Sequence, residues 1–163
     1  MSEKVIFIVR GIPGAGKSFI VKQYVPADNI YSTDDYWGPD YKFDLTRIGM
    51  AHRWNQQRAV EAMQASKTPI AVDNTNTTWK EIEPYALAAV RLGYVVRFLE
   101  PNSSWWNLFK AGEITAATKA FAEKNVHKVP LYAIEKMMAR WQPTEDMQKK
   151  YEELKKEYDN RPI

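Results

Sequence analysis

The sequence predicts an α/β fold in one domain, residues 1–163: about four short parallel strands covered by helices, with a helical segment after the last strand. Three observations predict it. A β-branched apolar run, Lys4 to Arg10, stops at Gly11, as a strand buried on both faces does. Shorter runs of the same kind alternate with helical patterns, which in a short chain implies right-handed crossovers and a parallel sheet covered on both sides. From Ser103 onward the pattern is helical only.

The later strands are expected at Asn29 to Ser32, Pro69 to Asp73 and Tyr94 to Leu99. Helical patterns fill the gaps at Lys17 to Tyr24, Thr46 to Ala65 and Trp79 to Leu92. The last of these ends at Gly93, the residue type favoured just past a helix C-terminus. Beyond the sheet come Ser104 to Lys124, broken at Gly112, then Pro130 to Trp141 and Thr144 to Tyr158. The final helix puts Met147, Tyr151, Leu154 and Tyr158 on one face. Opposite them Glu145/Lys149, Asp146/Lys150 and Glu152/Lys156 stand acid before base at i,i+4. That apolar stripe is expected to pack on the domain; docking of a partner is the alternative.

Composition excludes several classes. The hydrophobic share of 45% supports a real core and rules out global disorder. No run approaches the roughly 18 consecutive apolar residues of a membrane helix. The first ten residues carry Glu3 and Lys4 before only five apolar residues, unlike a signal peptide, so the default expectation is a cytoplasmic protein. With no cysteine and only His52 and His127, disulfides and thiolate metal sites are excluded. A net charge of +3 is too mild to diagnose nucleic-acid binding and leaves it open. Nothing in the chain demands an obligate protein partner.

The strongest signal is Gly11-Ile12-Pro13-Gly14-Ala15-Gly16-Lys17-Ser18, which matches G-x-x-x-x-G-K-[ST] between a strand and a helix. Glycines free the backbone to turn its N–H groups onto phosphate oxygens, and the helix starting near Lys17 aims its positive end at the same anion. The expected ligand is a nucleoside triphosphate, ATP with Mg²⁺, cradled by Gly11 to Phe19. Lys17 is expected on the β and γ phosphates and the Ser18 hydroxyl on the metal. No Asn-Lys-x-Asp motif supports a GTPase, and a motor or AAA-type ATPase would normally need a larger chain. A small chain whose helical segment, about residues 104–129, closes as a lid fits a kinase better.

The acceptor side is expected at Ser32-Thr33-Asp34-Asp35-Tyr36, since the carboxyl ends of parallel strands face one crevice. Asp34, with Asp35 as fallback, is the candidate to orient a hydroxyl in line with the γ-phosphate; both acids capping a turn is the competing view. Asp73, closing an apolar strand, is the candidate for holding Mg²⁺ through water. Asn74 and Asn76 beside it either join the site or open a turn. His52 and Asn55 share the apolar stripe of their helix with Leu45, Ile48, Ala59 and Met63, so they either satisfy buried partners or face a polar cleft. Arg47, Arg53 and Arg58, with no acid between Leu45 and Val60, offer an acceptor phosphate site or a solvated basic face. Lys119, Lys124, His127 and Lys128 cluster in the lid segment, and Lys124 is the candidate cation for the transferring phosphoryl group. Tyr36, Trp37, Tyr41 and Phe43 either stack on a base or pack plainly.

In order along the chain, Gly-Ile-Pro-Gly-Ala-Gly-Lys-Ser, Ser-Thr-Asp-Asp-Tyr, Ala51-His52-Arg53-Trp54-Asn55-Gln56-Gln57-Arg58-Ala59, Asp73-Asn74-Thr75-Asn76 and Lys124-Asn125-x-x-x-Val129-Pro130 resemble P-loop kinases of the polynucleotide 5′-hydroxyl kinase type. The resemblance spans roughly Lys4 to Trp141. It implies a three-layer P-loop NTPase fold with a helical lid, ATP and Mg²⁺ at Lys17 and Ser18, Asp34 as general base toward a nucleic-acid 5′-hydroxyl, and a requirement for Asp73. Two departures bear on the acceptor. Trp37 stands where the phage-type enzymes carry a phosphate-contacting Arg, and Lys124 and Lys128 stand in place of lid arginines. Lysine supplies charge without the bidentate fork of Arg. A nucleoside, a hydroxylated base in DNA or another small alcohol is the alternative acceptor, and a non-catalytic nucleotide-dependent binding module the second alternative.

Overall fold

The computed structural model describes residues 3–161 and is a mixed α/β structure. Four strands, β1 (Val5–Val9), β2 (Ile30–Tyr31), β3 (Ile70–Asp73) and β4 (Val95–Leu99), form one parallel sheet in the order β2-β3-β1-β4. The expected strands are all present, β1 and β2 trimmed at both ends, β2 to two residues, and β3 and β4 at their starts by one residue.

Alternation along β1 builds the layers. Ile6 and Ile8 face α2 (Ile48–Gln64), α3 (Trp79–Arg91) and α7 (Thr144–Asp159), in a core that includes Ala59, Met63, Ile82, Tyr85, Ala86, Met147 and Tyr151. Phe7 and Val9 face the other way, against Val21 of α1 (Lys17–Val21), Val25 and Ala71. The stripe on α7 is a packing stripe, for Met147 and Tyr151 are buried, and the Tyr151 hydroxyl accepts a hydrogen bond from the Val96 amide at 3.1 Å. Pro84 sits mid-pattern in α3 without ending it, and a capping box between Thr78 and Glu81 starts that helix.

A second core lies beside the sheet. Trp106 of α4 (Ser104–Lys110), Ala117 and Phe121 of α5 (Ile114–Lys124), and Ile134 and Met138 of α6 (Leu131–Arg140) close around Ile12 and Ala15. The segment expected as a lid over residues 104–129 is therefore mostly anchored. A short connector joins α5 to α6, and the helices α4 and α5 pack on the phosphate loop at Ile12 and Ala15. The reason is composition: Trp105, Trp106, Phe109 and Phe121 supply more apolar surface than a mobile flap can leave in water.

Among the described residues, no helix is long and apolar enough to cross a membrane.

Candidate active site

Register places the site. Val9 pairs with Asp73 on one side and with Leu99 on the other, so the loops leaving β1, β3 and β4 emerge together at the carboxyl edge, with β2 ending beside β3. Arg10, the last residue before the glycine loop, ties these exits together. Its guanidinium is fully buried and donates to the carbonyls of Asn76 (2.8 Å), Thr77 (3.1 Å) and Gln142 (2.7 Å) and to the Thr144 hydroxyl (2.7 Å), while stacking on Trp141. Burial lowers its pKa to about 10, partly offset by Glu100, Glu81 and Glu145. In the sequence, Arg10 is marked only as a charged residue closing an otherwise buried strand.

The loop at 11–18 is fixed by what surrounds it. Gly14, at φ +84°, has no room for a side chain: a Cβ there would stand 2.5 Å from the Phe121 carbonyl oxygen. The Trp105 indole donates to the Gly14 carbonyl and the Ser103 hydroxyl to the Ala15 carbonyl, both at 2.8 Å. Ser103 and Trp105 also went unread in the sequence, although a Ser just ahead of a helical run is a cap signal. At Gly11 a Cβ would press on the Lys17 side chain and Pro101. The Lys17 ammonium donates to the Ile12 carbonyl at 3.3 Å. Burial lowers its pKa while Asp73 and Asp34 pull it back up, so both carboxylates act on the same cation. Pro13 and Ser18 lie along the same loop. Phe19 follows Ser18 in α1 with its side chain 68% exposed, so only its backbone is left to join the loop's hydrogen-bonding groups.

Asp73 closes β3 with one carboxylate oxygen buried and without a partner. Burial raises its pKa against the pull of Lys17, with Asp34 and Asp35 adding to the rise. A buried, unpartnered carboxylate oxygen beside the hydroxyl-bearing turn of α1 fits Mg²⁺, a hard cation that takes few protein ligands and completes its shell with phosphate and water. Among the described residues no group of three or more acids or histidines able to hold a metal on its own is present.

Asp34 lies in a short 3-10 turn, Thr33–Trp37, capped by the Ser32 hydroxyl. It is half-exposed, and its two oxygens meet the Tyr41 hydroxyl (2.9 Å) and the His127 ring (3.4 Å). Asp35 points elsewhere: both Arg58 guanidinium nitrogens donate to one of its oxygens at 3.2 Å, and Arg58 lies over Trp54 and Tyr31. Of the two acids, Asp34 is the one whose charge reaches Lys17.

Several candidates occupy structural positions. Asn55 is fully buried and donates to the Tyr31 carbonyl and the Tyr85 hydroxyl, so it fixes the end of β2 instead of facing a cleft. Asn76 is buried and donates to the Val9 carbonyl at 2.8 Å. Asn74 accepts from the Thr33 amide at 2.9 Å, joining the acceptor turn to β3. Trp37 is only 8% exposed, packed between Tyr36 and Phe43, because its ring is the apolar floor of the 3-10 turn. His52 approaches the Thr33 hydroxyl at 3.5 Å. The Lys124 ammonium sits over the Trp105 ring, 4.3 Å from its centroid, next to the indole that holds Gly14.

Residues 6–144 match the family described as an AAA domain. The chain is also similar to NEDD4-binding protein 2 of Homo sapiens, 38% identical over 143 residues; the match covers 85% of this chain but spans only 8% of that relative's length. On loop, sheet and matched residues together, the chain belongs to the AAA domain family and is a nucleotide-binding, kinase-like P-loop unit.

Proposed function

We propose that this protein is an ATP- and Mg²⁺-dependent kinase that transfers the γ-phosphoryl group to a hydroxyl acceptor, the 5′-hydroxyl of a polynucleotide. The observation that carries the reading is the common field of Lys17, Asp73 and Asp34, with Asp34 half-exposed on the acceptor side. In this mechanism the Asp34 carboxylate takes the alcohol proton as the alcohol oxygen bonds to phosphorus, and the bond from phosphorus to the bridging β,γ-oxygen breaks to release ADP. The Lys17 ammonium balances the charge spreading over the transferring oxygens. The Ser18 hydroxyl and Asp73 would hold Mg²⁺, which would supply charge neutralisation at the β and γ phosphates. Lys124, whose ammonium lies over the Trp105 ring, would add a second cation from the α5 side.

The polynucleotide acceptor rests on the ordered motifs and on the exposed cation-and-aromatic surface after Asp34, where Arg47 lies on Tyr36 and Arg58 on Trp54. The test is transfer from γ-labelled ATP to a panel of a 5′-hydroxyl oligonucleotide, nucleosides and small alcohols. Label on the oligonucleotide, falling with salt at a log–log slope of about −0.7 per contacted phosphate, supports the reading. Label only on nucleosides or alcohols moves the acceptor, and ATP binding without transfer to any hydroxyl leaves a binding module.

A further inference from the structure

Two residues that the mechanism above leaves idle converge on Asp34 from different parts of the chain. Tyr41 follows the 3-10 turn; His127 lies in the connector between α5 and α6. Tyr41 donates its hydroxyl proton to one Asp34 oxygen at 2.9 Å, and His127 Nε2 stands 3.4 Å from the other. The two rings also lie against each other, centroids 4.1 Å apart and 13° from parallel, with Phe43 continuing the stack behind Tyr41.

An exposed imidazole beside an exposed carboxylate is by itself weak evidence, because such pairs contribute little. Here three further features agree. Tyr41 and Lys128 both take left-handed backbone conformations, at φ +47° and +53°, which side-chain-bearing residues adopt when their surroundings impose it. Asn125 braces the connector, accepting from the Val129 amide at 2.6 Å and donating to the Ala122 carbonyl at 3.3 Å, so His127 is presented from a closed turn and not from a loose strand. Burial and Asp34 together hold the Tyr41 phenol protonated, in the form that donates.

We propose that Tyr41 and His127 are positioning residues: Tyr41 fixes the Asp34 carboxylate, and His127, stacked on Tyr41, latches the α5–α6 connector to the acceptor turn so that the crevice shuts over the bound alcohol. The inference rests on the kinase reading of Asp34. With α4 and α5 anchored on the phosphate loop, the connector is the closure, and its task is to decide whether the γ-phosphoryl group meets the alcohol or water. In the first case phosphorus bonds to the acceptor oxygen; in the second it bonds to a water oxygen and leaves as inorganic phosphate. ADP departs either way.

The test compares Tyr41→Phe, His127→Ala and His127→Phe in the full chain, measuring acceptor phosphorylation and phosphate release together. Tyr41→Phe keeps the stack and loses the hydrogen bond, so kcat for transfer falls about tenfold with acceptor KM little changed. His127→Ala loses the latch: acceptor KM and the ratio of hydrolysis to transfer each rise about tenfold, while the KM for ATP stays within about twofold. His127→Phe, which restores a ring against Tyr41, brings the ratio most of the way back. An unchanged ratio in His127→Ala, or wild-type kcat in Tyr41→Phe, overturns the proposal.

Hydrogen exchange without substrates separates this proposal from the function it rests on. In Tyr41→Ala the Val129 amide, which donates to the Asn125 side chain at 2.6 Å, should exchange about tenfold faster while the amides of Ala117 and Phe121 stay protected. Equal exchange overturns the latch. Faster exchange in a protein that phosphorylates no hydroxyl supports the latch and overturns the kinase reading instead.

Discussion

The donor and acceptor halves of this site are held by different physics. On the donor side Ile12 and Ala15 are completely buried among aromatic side chains, and Gly14 is pressed against α5 backbone. Around the acceptor, Leu45 to Met50 are all exposed, and the turn carrying Asp34, floored by the buried Trp37, is tied down largely by polar contacts: Asn74 to Thr33, Asn55 to Tyr31, Arg58 to Asp35, Tyr41 to Asp34. A triphosphate has one shape, so its cradle can be packed solid. An alcohol must enter and then be enclosed, so its side is drawn from the less stable end of the structure.

The sharpest way to break that division is Asp34→Asn, which should slow transfer by about 10²–10⁴-fold and leave ATP affinity unchanged in equilibrium binding. Loss of both would mean the halves are not separable. Arg10→Met attacks the shared stem: it strands the buried carbonyls of Asn76, Thr77 and Gln142, costing about 3 kcal/mol in denaturant unfolding. Gly14→Ala strikes the donor half alone. A Cβ 2.5 Å from a carbonyl oxygen, at a left-handed φ, should cost about 2 kcal/mol and weaken nucleotide binding. Gly16→Ala, with nothing nearer than 3.8 Å, should be milder by the clash contribution. Equal losses at the two glycines would show that backbone conformation, and not contact with α5, sets the loop.

Legibility follows the same division. The glycine loop could be read because its contacts are local: motif, strand and helix are contiguous, and spacing alone puts Lys17 and Ser18 on one anion. Strand positions were legible because β-branched runs buried on both faces have few alternatives. The acceptor half was not, because its contacts join residues far apart in sequence. No periodicity shows that Arg58 neutralises Asp35, that Asn55 caps the end of β2, or that His127 lies on Tyr41. Polar residues on an apolar helix stripe signal only that partners are needed; tertiary structure supplies them for the Asn55 amide nitrogen and leaves its Oδ1 buried without one. The packing of the lid segment is hidden for a related reason: helical periodicity tells which face is apolar, but not that the face closes on Ile12 and Ala15.

The smallest expected effect has the most informative sign. Asp73 is the point where the two halves share charge, and burial raises its pKa despite Lys17. A carboxyl whose folded pKa lies above its unfolded value binds more protons when folded, so it favours folding below the ordinary carboxylate range and loses that contribution as pH rises through the folded pKa. Near neutrality its charge is therefore a burden on the fold. Asp73→Asn should raise Tm slightly at pH 7, and the gain over wild type should shrink as pH is lowered. Transfer should fall by about two orders of magnitude, by analogy with loss of one charge-stabilising group, and the extra Tm conferred by Mg²⁺ with a non-hydrolysable ATP analogue should diminish. A variant less stable than wild type at neutral pH would mean that Asp73 serves the fold first, through Lys17. A stabilised, inactive variant would mean that the fold tolerates a poorly solvated charge because phosphoryl transfer uses it.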